Sequence, residues 1–123
     1  MQYTYAFEKM SVWQQARQVT KLIYLKTKSF PKEELFGVTS QIRRASISIC
    51  CNLAEGSARI GAKDQNRFYE IAFSSAIEVV NLLILCIDFE YLIESEYTVL
   101  RTEMERLTYS INKLSGKKPG GSL

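Results

Sequence analysis

Three cysteines have the widest chemical repertoire in this sequence: Cys50 and Cys51 are adjacent, and Cys86 stands alone. A thiolate can bind a metal ion, attack an electrophile or exchange disulfides. Adjacent residues of a helix point about 100° apart, however, and no CxxC spacing is present. The chain also has no histidine, which excludes His-based catalysis and His-ligated metals. We therefore interpret the cysteines as small core residues and expect no metal, no cofactor and no enzymatic activity.

Two adjacent arginines, Arg43 and Arg44, are the next candidates, within the stretch QIRRASISICCNLAEG at 41–56. A guanidinium group can bind a carboxylate or a phosphate through two parallel hydrogen bonds. The two side chains could pair with Glu55 or Glu78 inside an interface, contact phosphate, or remain solvated. The interface role is favoured, because apolar residues flank the pair.

Positive charge is concentrated in the first half of the chain, which favours a polyanionic partner. Residues 1–67 carry 11 basic and 5 acidic side chains, whereas residues 68–123 carry 5 and 8. The candidates for contacts with nucleic-acid phosphates are Arg17, Lys21, Lys28, Lys32, Arg59, Lys63 and Arg67.

Four amphipathic helices have to position these residues. Apolar residues recur with the 3.6-residue period of a helix over 11–29, 31–55, 63–88 and 95–115, and no stretch alternates like a strand. Short links between helices of this length favour antiparallel neighbours. We predict an all-α protein, a single domain over 1–123 folded as an antiparallel up-down-up-down four-helix bundle, with a disordered tail over 116–123.

Local signals predict where the helices begin. Ser11 with Gln14 resembles a capping box, and Ser95 is a good N-cap for the fourth helix. Pro31 suits the first turn of the second helix. Gly37 follows soon after it, and there we expect either a close packing contact or an irregular first turn.

The second and third helices each carry a second apolar face, so we predict self-association through them. Four helices in one bundle leave such faces exposed, and large exposed apolar patches mark interaction sites. The alternative is that the tails or a splayed first helix cover them. The candidate interface consists of Phe36, Arg43, Arg44, Ile47, Cys50, Cys51, Ala54, Tyr69, Phe73, Ile77, Val80 and Ile84.

The apolar run over 71–89 is long enough to cross a membrane, but Glu78 lies near its middle. A carboxylate there costs about 3 kcal/mol on insertion scales, so we predict a buried helix of a soluble protein and no membrane partner. Residues 1–6 contain no apolar signal core, and the cysteine spacing does not indicate disulfides. We expect a cytoplasmic protein.

Several motifs resemble one bacterial family: VWQQA (12–16), FPKEE (30–34), Gly37, QIRRASISI (41–49), NLAEG (52–56), Arg59 and RFYEIAFSSAIEV (67–79). They are similar to the four-helix-bundle proteins encoded by 23S rRNA intervening sequences, the so-called S23 ribosomal proteins, over about residues 7–115. The resemblance implies a homopentameric barrel with no assigned enzymatic activity. It extends to the accessory variability proteins of retroelements, which are basic pentamers that bind nucleic acid and a reverse transcriptase.

One departure from the family pattern lies at Cys50 and Cys51, where the family often has proline or a small residue. A kink in the second helix is therefore expected to be weaker or missing in this chain.

The sequence thus predicts a non-enzymatic, oligomeric nucleic-acid-binding or RNA-associated accessory protein of the bacterial cytoplasm. Its partners would be further copies of itself and RNA or DNA. The alternative is a protein–protein interaction scaffold that binds a partner protein and no nucleic acid, with the positive charge serving solubility.

Overall fold

The computed structural model describes residues 1–116, and every regular element in that part of the chain is helical. The four α-helices are α1 (Ser11–Thr27), α2 (Val38–Ser57), α3 (Ala62–Asp88) and α4 (Glu94–Leu114), and 3₁₀ turns at Ala6–Lys9 and Lys32–Glu34 precede α1 and α2. Residues 1–116 contain no strand. The all-α, four-helix prediction is confirmed, whereas the predicted tail, apart from Gly116, lies outside the described residues.

Contacts between α1 and α2 show that these helices run in opposite directions. Thr20 Oγ1 lies 3.3 Å from the carbonyl oxygen of Ser46. Thr27, farther along α1, accepts a 2.9 Å hydrogen bond from Nε of Arg43, which comes earlier in α2. Moving forward along α1 therefore means moving backward along α2.

Helices α2 and α3 form the most extensive contact in the bundle and are also antiparallel. The hydroxyl groups of Ser48 and Ser75 lie 2.8 Å apart. Gly56 lies two turns after Ser48 in α2, and it faces Tyr69, which lies almost two turns before Ser75 in α3. A later residue of α2 thus meets an earlier residue of α3. The absence of a side chain on Gly56 lets the two helices approach each other closely at this level.

One apolar core joins the four helices, and its members follow the predicted helical period. Lys26 of α1 lies 3.6 Å from Glu96 of α4, which places these helices side by side as well. The largest fully buried side chains are Ile23, Ile42, Ile49, Leu53, Leu83, Leu100, Met104, Leu107 and Ile111.

Helix α3 is long and apolar enough to cross a membrane by its length and composition. Its inward face nevertheless supplies Ala72, Val79, Leu83 and Cys86 to the core of the bundle. Glu78 lies exposed near the middle of the helix. The helix therefore has the role predicted for it, that of a core helix.

The second helix begins later than predicted. Pro31 is followed by a 3₁₀ turn, and α2 starts only at Val38. Glu34 Oε1 accepts a 3.2 Å hydrogen bond from the Val38 backbone N–H, so a glutamate from the preceding turn caps the helix. A Cβ on Gly37 would lie 2.5 Å from this Oε1 atom. The irregular first turn expected at Gly37 is confirmed.

The predicted N-caps at Ser95 and Ser11 are wrong. Helix α4 begins one residue before Ser95, and the backbone N–H of Ile93 donates to Glu96 Oε1 at 3.1 Å. A glutamate in the first turn of a helix can accept a hydrogen bond from the backbone N–H that precedes the helix, as in a capping box. Ser11 is the first residue of α1 itself, and the chain enters that helix through the turn Ala6–Lys9. Gly116, with φ of 81°, follows the end of α4 as predicted.

The capping glutamate also predicts how stability depends on pH. Tyr91 donates a 2.7 Å hydrogen bond to Glu34 Oε2, and this bond lowers the pKa of Glu34 from 4.5, with help from the Val38 N–H. A lowered pKa gives a contribution to stability that is complete above pH 4.5 and is lost as the pH falls through the folded-state value.

We expect Tyr91→Phe to flatten the acid side of the stability profile, because the phenol that stabilises the carboxylate is gone. Urea unfolding measured from about pH 3 to 7 checks this. If the free energies of unfolding of the wild type and Tyr91→Phe change with pH in parallel, the hydrogen bond does not couple stability to the protonation of Glu34.

Candidate nucleic-acid interface

Two arginine side chains lie over one aromatic ring where α2 is joined to α3. Cζ of Arg59 is 4.5 Å, and Cζ of Arg67 4.8 Å, from the centroid of the Phe68 ring. Asp64 Oδ1 accepts a 2.8 Å hydrogen bond from Arg67 Nη2, and Asp64 Oδ2 lies 3.9 Å from Arg59 Nε. The Arg59 and Arg67 side chains remain 44% and 62% exposed. Both guanidinium groups are thus positioned while still open to solvent.

Local sequence explains this arrangement. Asp64 and Arg67 are three residues apart in the first turns of α3, which places them on the same side of the helix. Gln65 Nε2 donates to the backbone oxygen of Arg59 at 3.1 Å, which fixes the end of the preceding link. Exposed ion pairs of this kind stabilise a fold by about 0–1 kcal/mol. The contacts of the two arginines with the Phe68 ring add about 0.5–1 kcal/mol each at such exposed positions, so the contribution to stability is modest.

All seven predicted phosphate-binding residues are exposed, but they do not form one surface. Thr20 Oγ1 lies 3.4 Å from Cys50 Sγ. Arg17 comes one turn before Thr20, and α1 and α2 are antiparallel, so Arg17 lies near the C-terminal end of α2. Arg59 follows that end of α2 in the chain. We call this end of the bundle the basic end; within residues 1–116 its exposed cations are Lys9, Arg17, Arg59, Lys63, Arg67 and Lys113.

Two of the predicted residues, Lys28 and Lys32, lie at the opposite end of the bundle, and Lys21 lies between the two ends. Lys28 and Lys32 follow α1 in the chain and are far from the α2–α3 link. We call this opposite end the acidic end; its acidic residues are Glu33, Glu34, Asp88, Glu90, Glu94 and Glu96. The seven candidate residues are therefore not all brought together, since Lys28 and Lys32 lie apart from Arg17, Arg59, Lys63 and Arg67.

Arg43 links α1 to α2. Its Nε atom donates to Thr27 Oγ1 at 2.9 Å, and its Cζ atom lies 4.6 Å from the centroid of the Tyr24 ring. Within residues 1–116 its guanidinium group contacts these two residues and not the carboxylate of Glu55 or Glu78. Arg43 thus ties α2 to α1 within one subunit, and the pairing with Glu55 or Glu78 predicted for it is not seen there.

Arg44 remains exposed in a polar groove between α2 and α3. The residues lining this groove are Gln41, Arg44, Ala45, Ser48, Ser75 and Glu78. The groove separates the second apolar face of α2 from that of α3.

The second apolar face of α2 begins beside α1, where Cys50 contacts Thr20. It includes exposed Ile47 and Cys51 and half-buried Ala54. On α3, the corresponding face contains exposed Ile77 and Ile84 beside half-buried Phe73 and Val80. Helical geometry places the α3 residues on the side away from Ser75. The two faces are therefore separate stripes on the surface of one subunit.

Two further members of the predicted interface lie elsewhere. Tyr69 is only 6% exposed and packs against Gly56 in the core, so its assignment to an exposed face is wrong. The missing side chain at Gly56 makes room for the Tyr69 ring, a contact that the period of α3 alone does not reveal. Phe36 is 93% exposed but precedes α2 at the acidic end, away from both stripes.

The cysteines divide into two kinds. Burial raises the pKa of the Cys50 thiol, and burial raises that of Cys86 to about 11. Both thiols are therefore protonated at neutral pH, as suits small packing residues. Cys51 is exposed on α2, and for that residue the core interpretation is wrong. Helix α2 continues without a break through both positions.

Comparison with known proteins agrees with this architecture. Residues 8–113 match the family of 23S rRNA-intervening sequence proteins. The chain belongs to this family. No curated protein matches it at a significant level.

Among solved structures, the chain is similar to a protein with unknown function from the S23 ribosomal protein family of Bacteroides thetaiotaomicron. It superposes on the chain with a TM-score of 0.77 at 20% identity, over 85% of this chain and 97% of that one. At this identity the likeness establishes the shared fold alone.

One group of side chains at the basic end was not predicted from the sequence. Tyr3, Tyr5 and Phe7 alternate along the chain, and their rings contact one another and Trp13 of α1. The alternation of aromatic residues at positions 3, 5 and 7 was the available signal.

Proposed function

We propose that the protein is a non-enzymatic, oligomeric accessory protein that binds RNA through the basic end of its bundle. The observation that carries this proposal is the pair of exposed guanidinium groups over the Phe68 ring. The family description, with its link to 23S rRNA, supports RNA as the nucleic acid.

Prepositioned arginines favour phosphate binding for two reasons. A guanidinium group presents a planar set of N–H donors that matches two phosphate oxygens. Asp64 and Phe68 already restrict Arg59 and Arg67, so less side-chain entropy is lost on binding. Lys63 and Arg17 add positive charge at the same end, which attracts RNA at long range.

Self-association completes the proposal, because a few phosphate contacts per subunit bind weakly and several linked copies bind more tightly. Two different apolar stripes suit an interface in which α2 of one subunit meets α3 of the next. Such head-to-tail contacts close into a ring when the rotation between neighbouring subunits closes, and form an open filament otherwise. The pentamer implied by the family resemblance is one such ring.

The α3 stripe gives the test of self-association. We expect Ile84→Asp to convert the oligomer into a monomer with unchanged helical circular dichroism, because Ile84 is 42% exposed and the charge would be buried in the interface. Size-exclusion chromatography with light scattering at micromolar concentration measures the mass.

The matched control is Val99→Asp, which introduces the same charge at a 53% exposed position of α4 outside the proposed interface. That variant should keep the mass of the wild type. A monomeric wild type, or an Ile84→Asp variant of unchanged mass, would contradict the proposed interface.

Fluorescence anisotropy with labelled RNA across a salt series tests the binding itself. Affinity should fall steeply as salt rises, with a slope of about 0.7 per phosphate contact on a single strand. Absence of binding at about 100 mM salt would exclude the proposed function.

A protein-binding scaffold is the second candidate, and exposed Phe36 and Leu35 at the acidic end favour it. Capture of partners from cell extract with and without nuclease separates the two functions. A partner that survives nuclease treatment and is lost with Phe36→Ala would support the scaffold.

A further inference from the structure

We propose that four aromatic side chains at the basic end form a stacking platform for the bases of single-stranded RNA. We call this group, Tyr3, Tyr5, Phe7 and Trp13, the aromatic ladder. The inference rests on the proposed function, and it names the form of RNA that the basic end selects.

The rings of the ladder form an unbroken series. The Tyr3 and Tyr5 centroids are 5.1 Å apart, with the rings nearly perpendicular. Tyr5 and Phe7 are nearly parallel at 6.4 Å, and Phe7 meets Trp13 edge to face at 4.9 Å. Arg17 ends the series, since its Cζ atom lies 5.5 Å from the Trp13 ring.

The outer rings of the ladder are not part of the core. Tyr3 is 78% exposed and Tyr5 is 60% exposed, whereas Phe7 and Trp13 are half-buried and connect the ladder to the bundle. Two tyrosines this exposed gain little from burial in the folded chain. Both rings therefore have exposed surface that a ligand can contact.

Hydrogen bonds hold the ladder in place before any ligand arrives. The backbone N–H of Tyr5 donates to Glu8 Oε2 at 2.8 Å. Gln14 Nε2 of α1 donates to the carbonyl oxygen of Glu8, also at 2.8 Å. The segment that carries the tyrosines is thus tied to α1, which lowers the entropic cost of stacking a base on it.

The chemistry of the surroundings selects a single-stranded polyanion. Stacked aromatic rings beside a basic groove are the usual means of binding single strands, because every base has a flat face. Exposed Lys9 and Arg17 border the ladder and can contact the phosphates between stacked bases. In a duplex each base is stacked on its neighbours, so the aromatic ladder finds no free base face to stack on.

Tyr3→Ala/Tyr5→Ala in the full-length, tag-free protein tests the inference. The probes are an oligouridine strand of about twelve nucleotides and the same strand annealed to its complement. Trp13 is the only tryptophan of the chain, so its fluorescence reports on the ladder directly. Two controls accompany the variant: Tyr3→Phe/Tyr5→Phe, which keeps the rings, and Phe89→Ala, which removes a 51% exposed ring at the acidic end.

We expect the wild type to bind the single strand more tightly than the duplex, with a change in Trp13 fluorescence. Tyr3→Ala/Tyr5→Ala should lose roughly tenfold or more in single-strand affinity and little in duplex affinity. Both control variants should behave as the wild type.

Unchanged single-strand affinity in Tyr3→Ala/Tyr5→Ala would overturn the ladder while leaving the proposed function intact, provided that the wild type still binds RNA. A change in oligomer mass in this variant would also overturn it, since the ladder would then be a subunit contact. If the wild type binds neither probe at low salt, the proposed function fails together with the ladder.

Discussion

Replacing Arg59 and Arg67 together with glutamine should lower the affinity for single-stranded RNA about a hundredfold, or about 3 kcal/mol. Each guanidinium group lies within 5 Å of the Phe68 ring centroid and is exposed for a charge-assisted hydrogen bond to phosphate. Loss of two phosphate contacts should also reduce the salt slope by about 1.4. Anisotropy titrations at several salt concentrations give both numbers.

The matched control for this variant is Lys28→Gln/Lys32→Gln, which removes the same amount of charge from the acidic end. We expect that control to lose less than about threefold in affinity, because only long-range attraction changes. Equal losses in the two double variants would show that RNA responds to net charge alone. That result would contradict the proposal that RNA binds at the basic end.

Gly56→Ala should lower the free energy of unfolding by about 2 kcal/mol, net of alanine's better helix propensity. A Cβ at this position would lie 2.6 Å from Tyr69 Cε1 and 3.1 Å from Phe68 Cβ. Helices α2 and α3 would therefore have to separate at the level where Phe68 lies under the two arginines. Urea unfolding followed by circular dichroism measures the change.

Gly61→Ala is the control, because a Cβ on Gly61 has no atom within 4 Å and the residue is exposed. Its free energy of unfolding should stay within about 0.5 kcal/mol of the wild type. A Gly56→Ala variant as stable as Gly61→Ala would show that the approach of the two helices is not tight.

The fold could be predicted from the sequence because the 3.6-residue period is strong in all four helices. Ile42, Ile49 and Leu53, for example, are buried at the spacing that predicts one face. The start of α2 was missed because it depends on Glu34, whose carboxylate is held by Tyr91 from the link between α3 and α4. No local pattern around Pro31 contains that contact.

The candidate site was harder to predict, because the sequence does not say at which end of a bundle a residue lies. Lys28 and Arg59 look alike as exposed cations, yet the antiparallel packing of α1 on α2 places them at opposite ends. Contacts such as those of Arg59 and Arg67 with Phe68 depend on the link between two helices. Residues in separate helices join one site only through packing.

Ultraviolet crosslinking of the wild type to a single-stranded RNA, followed by mass spectrometry of the crosslinked peptides, tests most directly whether the basic end binds RNA. We expect crosslinks in residues 3–17 and 59–68, at the aromatic ladder and at the ring beneath the two arginines. Crosslinks confined to residues 28–36 or 88–96, at the acidic end, would contradict the proposed site.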